Sequence, residues 1–227
     1  MALILSLETS TLSCSAALHK DGKLLSTRVL HEPYSAAGRL TVLMTETMEE
    51  SGVNPGDIEA VAVSAGPGSY TGLRIGVATA KGFCYSRGIP LIAINSLVLI
   101  AWQVRNQADH EDILCPMIDA RRMEVYTMLL DKELKQLEPI SARIIDGSSY
   151  EEWLSTHRIL FFGTGAAKCK DVIHHKRAVY IDDIAPLASA MGELAADAFQ
   201  SQLFEDLSSF EPLYLKDFLI RKPKSAV

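Results

Sequence analysis

The chain has 227 residues, 22 of them basic and 28 acidic, giving a formal charge of -6, and 48% of the residues are apolar. At ~100–200 residues per domain this is one large domain or two small ones, long enough to bury a core without disulfides or a structural metal. The acidic balance argues against a chain that grips nucleic acid by itself, and no run approaches the ~20 apolar residues of a membrane span.

The opening Met1-Ala2-Leu3-Ile4-Leu5 lacks a basic n-region, so no secretory leader is expected. Residues 2–9 suit a buried strand, and 13–19 and 23–31 form a hairpin about the turn signal Asp21-Gly22. Helical periodicity over 36–51 sets Leu40, Leu43, Met44 and Met48 on one stripe, ended by Gly52 and Pro55. A strand over 58–65 enters a glycine-rich turn. A helix over 70–87 follows, stopped by Gly88 and Pro90, then a short strand over 91–95 and a helix over 96–106. That order predicts a mixed sheet covered by helices.

Asn106-Gln107-Ala108-Asp109 is linker-like, and the pattern then restarts. Strands are expected over 113–119, 125–130, 140–146, 159–163 and 178–181, followed by a long amphipathic helix over 185–203 with Pro186 in its first turn. The expected division is a lobe over 1–108, a smaller lobe over 109–215 and a basic tail over 216–227 that includes Lys216, Arg221, Lys222 and Lys224. The segment from 210 onward is expected to be loosely held. No internal repeat is demonstrable from the residues alone.

Several segments carry chemistry. Glu8, Thr9, Ser10 and Thr11 end the first strand. They read either as a polar strand end or as hydroxyls and a carboxylate that hold a phosphate or a metal-bound water. Gly66, Pro67, Gly68, Ser69, Tyr70, Thr71 and Gly72 lie between a strand and a helix, where backbone donors meet an anion. The loop lacks the lysine of a Walker A motif, and Thr71 stands where a dinucleotide fingerprint needs a third glycine. It reads equally as a tight turn with Ser69 or Thr71 capping the helix.

Within that helix Gly72, Gly76 and Ala80 form a stripe beside Thr79 and Phe83. Interior glycine costs ~0.8–1 kcal/mol relative to alanine, so the stripe implies close approach of another helix, in this chain or in another subunit. The crowded charges of Asp119-Ala120-Arg121-Arg122-Met123-Glu124 read as a salt-bridged turn. His174-His175 has no metal-binding helical spacing, and no nucleophile elbow occurs. Cys14, Cys84, Cys115 and Cys169 are too scattered for a disulfide framework or a zinc site and read as reduced, cytoplasmic thiols.

In combination, the strand ending in Glu-Thr-Ser-Thr, the Gly-Pro-Gly-Ser-Tyr-Thr-Gly-Leu-Arg-Ile-Gly segment and Ile-Asp-Ala-Arg-Arg-Met-Glu-Val-Tyr resemble the TsaB (YeaZ) family of tRNA threonylcarbamoyladenosine biosynthesis proteins. These are relatives of the glycoprotease-like TsaD proteins. Glu211-Pro212-Leu213-Tyr214-Leu215-Lys216 is similar to the family's C-terminal Pro-x-Tyr-Leu-Arg. The resemblance implies an α/β, two-lobed actin/hexokinase-like (ASKHA) fold with mixed sheets, flanking helices and a reduced second lobe.

It also implies a non-catalytic scaffold or activator that pairs with TsaD, with a TsaE-like ATPase in the larger assembly and a possible homodimer alone. ATP and metal would reside on TsaD, and tRNA would be reached only through the complex. The family's dimer contact uses its first two helices, which maps onto Leu40, Leu43, Met44 and Thr47 and onto Gly72, Leu73, Gly76, Thr79, Ala80 and Phe83. Ser96 and Ile100 stand where TsaD-like members carry metal-binding histidines, and Glu8 replaces the family's aspartate. The two loops are then a retained, vestigial phosphate scaffold, and Gly163-Thr164-Gly165 is a remnant of an adenosine loop. The alternatives are an independent ATPase or phosphotransferase of the same fold, and a metallopeptidase.

Overall fold

The computed structural model describes residues 2–31 and 36–216. Two five-stranded mixed sheets organise them. The first contains β1 (Leu3–Glu8), β2 (Cys14–Lys20), β3 (Lys23–Leu30), β4 (Ala60–Gly66) and β5 (Leu91–Asn95) in the order β3-β2-β1-β4-β5. The second contains β6 (Ile113–Asp119), β7 (Glu124–Leu130), β8 (Gln136–Ile144), β9 (Ile159–Phe162) and β10 (Ala178–Ile181) in the order β10-β9-β6-β7-β8. In each, three antiparallel strands are extended by two parallel ones on the far side of the first. The two halves therefore share one topology, which no residue pattern betrayed.

Local chemistry places the elements. Asp21 and Gly22 take positive φ of 51° and 79°, as a tight hairpin between right-twisted strands requires. Strand alternation gives the first sheet two apolar faces. Leu5, Leu7, Val61 and Val63 pack under α1 (Ala36–Glu50) and α2 (Tyr70–Arg87), which lie side by side. Ala2, Ile4, Ala60, Ala62 and Ile92 pack against Met191 and Ala195 of α5 (Gly192–Gln200) and Leu99 of α3 (Ser96–Val104).

Helix α3 lies between the lobes. Its Leu97, Ile100, Ala101 and Val104 share a core with Leu114, Ile118, Met128 and Phe162 of the second sheet. The other face of that sheet is covered by α4 (Glu151–Thr156) and by 163–173, with Met117, Val125, Phe161, Tyr150 and Leu154 inside.

Three expectations need correction. The helix expected over 185–203 is a 3-10 turn at Ala188–Ala190 followed by the nine-residue α5, because Gly192 must seat against the carbonyl of Gly22 and the ring of His19. The chain crosses to the second sheet near 108, but the second lobe does not run on to 215. Residues 188–213 return to the first sheet, where His19 Nε2 meets the Ser189 carbonyl at 3.2 Å, Glu205 bridges Leu91, and the Leu213 N–H donates to the Ala65 carbonyl at 2.7 Å. The reduction of the second lobe lies in its helical cover, since its sheet has as many strands as the first. Residues 217–227, and with them Arg221, Lys222 and Lys224, lie outside the described residues.

Candidate functional site

Strand β1 runs in the middle of the first sheet, and its end delivers Glu8, Thr9 and Ser10 to the start of α2, all three buried. Thr11 is half-buried at the turn beyond. The Thr9 N–H donates to Ser64 Oγ at 3.2 Å, and Glu8 Oε1 accepts from the Ser10 N–H at 2.5 Å. Burial pushes the Glu8 carboxyl up to about 7, against hydrogen bonds from Ser10 and Ser64 that draw it down. Glu8 Oε2 and Thr9 Oγ1 are buried without a protein partner.

The glycine-rich loop meets this strand end directly. Its Gly66–Pro67 peptide is cis, and Gly66 has a φ of 98° that favours glycine. The Ser69 N–H donates to the Ser10 carbonyl at 2.7 Å, while Ser69 Oγ caps α2 by accepting from the Gly72 N–H at 3.3 Å. A Cβ on Gly68 would fall under 3.0 Å from Ser10, and one on Gly72 or Gly76 under 3.0 Å from Thr9. The expected reading of the stripe is corrected here: Gly72 admits the Thr9 carbonyl and Gly76 the Thr9 side chain of the same chain, not another helix. The two expected loops are each other's ligand, and the N–H groups of Ser69, Gly72 and Leu73 are spent on protein oxygens.

The expected partner-contact residues fare differently. Leu40, Leu43, Met44 and Thr47 on α1, and Gly72, Leu73, Gly76 and Ala80 on α2, are all buried inside the chain. Thr79 and Phe83 are half-buried, Phe83 against the first core. Periodicity identified the inward face of each helix, because a stripe of Leu and Met serves a sheet as well as a subunit. The faces left open carry Val42 and Thr45 on α1 and Ala78, Gly82 and Tyr85 on α2, with Tyr85 84% exposed. Tyr70 and Thr71 begin α2 at the cleft, where Arg74 Nη1 donates to the Tyr70 hydroxyl at 3.0 Å.

The second lobe repeats the arrangement at the end of β6. Gly165 packs on Ile118 and Asp119, and the Asp119 N–H donates to Thr164 Oγ1 at 3.2 Å. Gly163-Thr164-Gly165 thus supports its own sheet. In the turn that follows, Arg121 and Arg122 take positive φ of 70° and 50°. Its acceptors are met from outside: Lys168 Nζ donates to Asp119 Oδ1 at 2.5 Å and to the carbonyls of Arg122 and Glu124 at 2.6 and 2.7 Å. Lys216 pairs with Glu124. Sequence reasoning singled out Lys216 without its partner and missed Lys168, since neither lies in a motif with the turn it serves.

Ser96 opens α3 behind the N-cap Asn95, whose Oδ1 accepts from the N–H groups of Leu97 and Val98 at 2.9 and 3.1 Å. Ile100 sits in the shared apolar core, with its Cδ1 facing Gly163. Among the described residues, no group of three His, Cys, Asp or Glu is placed to hold a metal ion. All four cysteines are free and buried, and burial pushes the thiols up to about 11 or 12.

The sequence model of the TsaD family, tRNA N6-adenosine threonylcarbamoyltransferase, matches residues 35–225. The chain belongs to this family. Its curated relatives include proteins called tRNA threonylcarbamoyladenosine biosynthesis protein TsaB, which identify the TsaB (YeaZ) branch. The Haemophilus influenzae protein is 27% identical over 223 residues, 94% of this chain and 93% of its own length. The Bacillus subtilis protein is 31% identical over 137 residues, a match spanning 60% of this chain and 58% of that protein. The Escherichia coli protein is 34% identical over 123 residues, 54% of this chain and 52% of its own. YeaZ from Pseudomonas aeruginosa superposes with a TM-score of 0.80 at 24% identity, over 95% of this chain and all of that one. That likeness establishes the TsaB (YeaZ) fold.

Proposed function

We propose that this chain is a non-catalytic subunit in tRNA threonylcarbamoyladenosine biosynthesis, a scaffold or activator for a TsaD-type transferase. The observation that carries the reading is the mutual filling of the two loops. Thr9 and Ser10 occupy the glycine-lined start of α2, and the Ser69 N–H donates to Ser10, so the place where this fold would receive a phosphate is taken by the chain itself. The nucleotide, and any metal with it, then belongs to the partner, and tRNA is reached through the complex. A TsaE-like ATPase joins the larger assembly, and the setting is the cytoplasm.

The surface offered to the partner is the open side of the α1–α2 pair, with Val42, Ala78, Gly82 and Tyr85 as its apolar and small residues. The same face would serve a homodimer when the partner is absent. A flat face of small residues beside an exposed tyrosine suits helix-on-helix packing with an aromatic anchor.

The test is co-purification with the TsaD paralogue of the same cell, followed by a tRNA modification assay with and without this chain. The chain alone is expected to modify nothing and to restore modification when mixed with its partner. The double variant Val42→Glu, Tyr85→Glu is expected to keep the fold and lose both pairing and restoration. Steady turnover of Mg-ATP by the pure chain would instead favour an independent ATPase.

A further inference from the structure

The motif at Glu211–Lys216 has no part in the loops or in the α1–α2 face, yet it lies across the mouth between the two lobes. The approach to it is anchored: Phe210 packs on the first core, and its carbonyl accepts from Lys81 Nζ at 3.0 Å. Pro212 keeps the backbone extended at the next step. The Leu213 N–H then donates to the Ala65 carbonyl at 2.7 Å, at the end of β4, and the Leu213 carbonyl lies against Gly66, where a Cβ would stand 3.0 Å away. The Tyr214 ring tilts onto Tyr70, with centroids 4.8 Å apart. Two residues later Lys216 has reached the other lobe, where its ammonium pairs with Glu124 and lies 5.8 Å from the centre of the Tyr126 ring. Only about 30 Å³ of space remains between this segment, Pro67-Gly68-Tyr70 and Tyr126, room for roughly one water.

We infer that Leu213–Lys216 is a clasp: a strap of the chain itself that joins the two lobes across their cleft and holds the Gly66–Gly72 loop in place. Open α/β sheets take their ligands beyond the carboxyl ends of their strands, and here the chain fills that position with its own residues. Each contact is of a kind that is weak singly: one backbone hydrogen bond, one tilted ring pair, one partly exposed ion pair. The clasp therefore opens without unfolding either lobe, and opening bares the cleft side of the Gly66–Gly72 loop, which stays packed on Thr9 and Ser10. The inference stands whether or not the chain pairs with a transferase.

Hydrogen exchange on the full-length chain tests it. The double variant Tyr214→Ala, Lys216→Ala alters side chains at the rim of the core. It is expected to raise exchange about tenfold at the Leu213 amide and across 66–72 and 124–126, leaving α5 and β8 unchanged. Tyr214→Phe with Lys216→Arg keeps the ring contact and the charge and is expected to retain wild-type exchange. Unchanged exchange in the alanine variant overturns the clasp. So does a rise spread evenly over the molecule, which would make these residues general stabilisers and not a local closure.

Discussion

Glu8 carries the longer arm of the two acidic residues, and the molecule encloses it completely at the end of a central strand. Its carboxyl is held at about 7 by burial, where an exposed glutamate titrates near 4.5. Between those values the folded chain keeps a proton that the unfolded chain releases. The resulting stabilisation is whole below about 4.5 and is lost as the pH rises through about 7, a difference on the order of 3 kcal/mol. Glu8→Gln removes the charge and nearly keeps the shape. Its unfolding free energy from urea titration is expected to match the wild type at pH 5 and to exceed it at pH 8 by about 1–3 kcal/mol. Taking the difference between the two proteins cancels His19, whose imidazole burial holds below 6.5 and which acts in the opposite sense. Equal midpoints at both pH values would mean that Glu8 is solvated. The carboxylate was legible in the sequence as a marked residue, but its surroundings were not: Ser64 comes from another strand, 55 positions from the Thr9 N–H it receives.

Helix α2 carries glycines of two kinds, and they make opposite predictions. A Cβ at Gly72 would meet the Thr9 carbonyl, whereas one at Gly82 meets nothing within 4 Å. Gly72→Ala is therefore expected to destabilise the fold by about 2–3 kcal/mol through overpacking. Gly82→Ala is expected to stabilise it by about 0.5–1 kcal/mol through helix propensity alone. Equilibrium urea unfolding of both variants reads the two signs. The bounds of α2 and of most strands were readable because caps and turns are local: Ser69 before the helix and Gly88 after it announce themselves. The partner of the glycine stripe was not, because spacing reports that something approaches closely without saying what. The six-residue α4 went unseen because it is shorter than two helical turns and has no period to show.

Across the whole molecule, each lobe holds a piece of the other. Helix α3 leaves the first sheet to complete the core of the second, and 188–213 come back to cover the first. The outgoing and returning segments touch where Gln103 Nε2 donates to the Ala185 carbonyl at 3.1 Å. A fragment ending at residue 108 is thus expected to expose Ala2, Ile4 and Ile92, to bind a hydrophobic dye and to unfold without cooperativity. Adding a peptide of residues 186–216 in trans is expected to restore a sigmoidal melt, and cooperative unfolding of the fragment alone would refute this. The linker-like composition at 106–109 was real, but composition marks where a chain bends and carries no word of where it returns.

That return also sets a timetable for synthesis. The first sheet is threaded early, yet Met191 and Ala195, which seal one of its faces, are made roughly a hundred residues after β5. At ~5–20 residues per second the ribosome leaves this face open for ~5–20 s, far longer than a strand or helix needs to form. During that interval the nascent lobe presents Ile4, Ala62 and Ile92 to whatever meets it, so the stage most exposed to aggregation precedes α5.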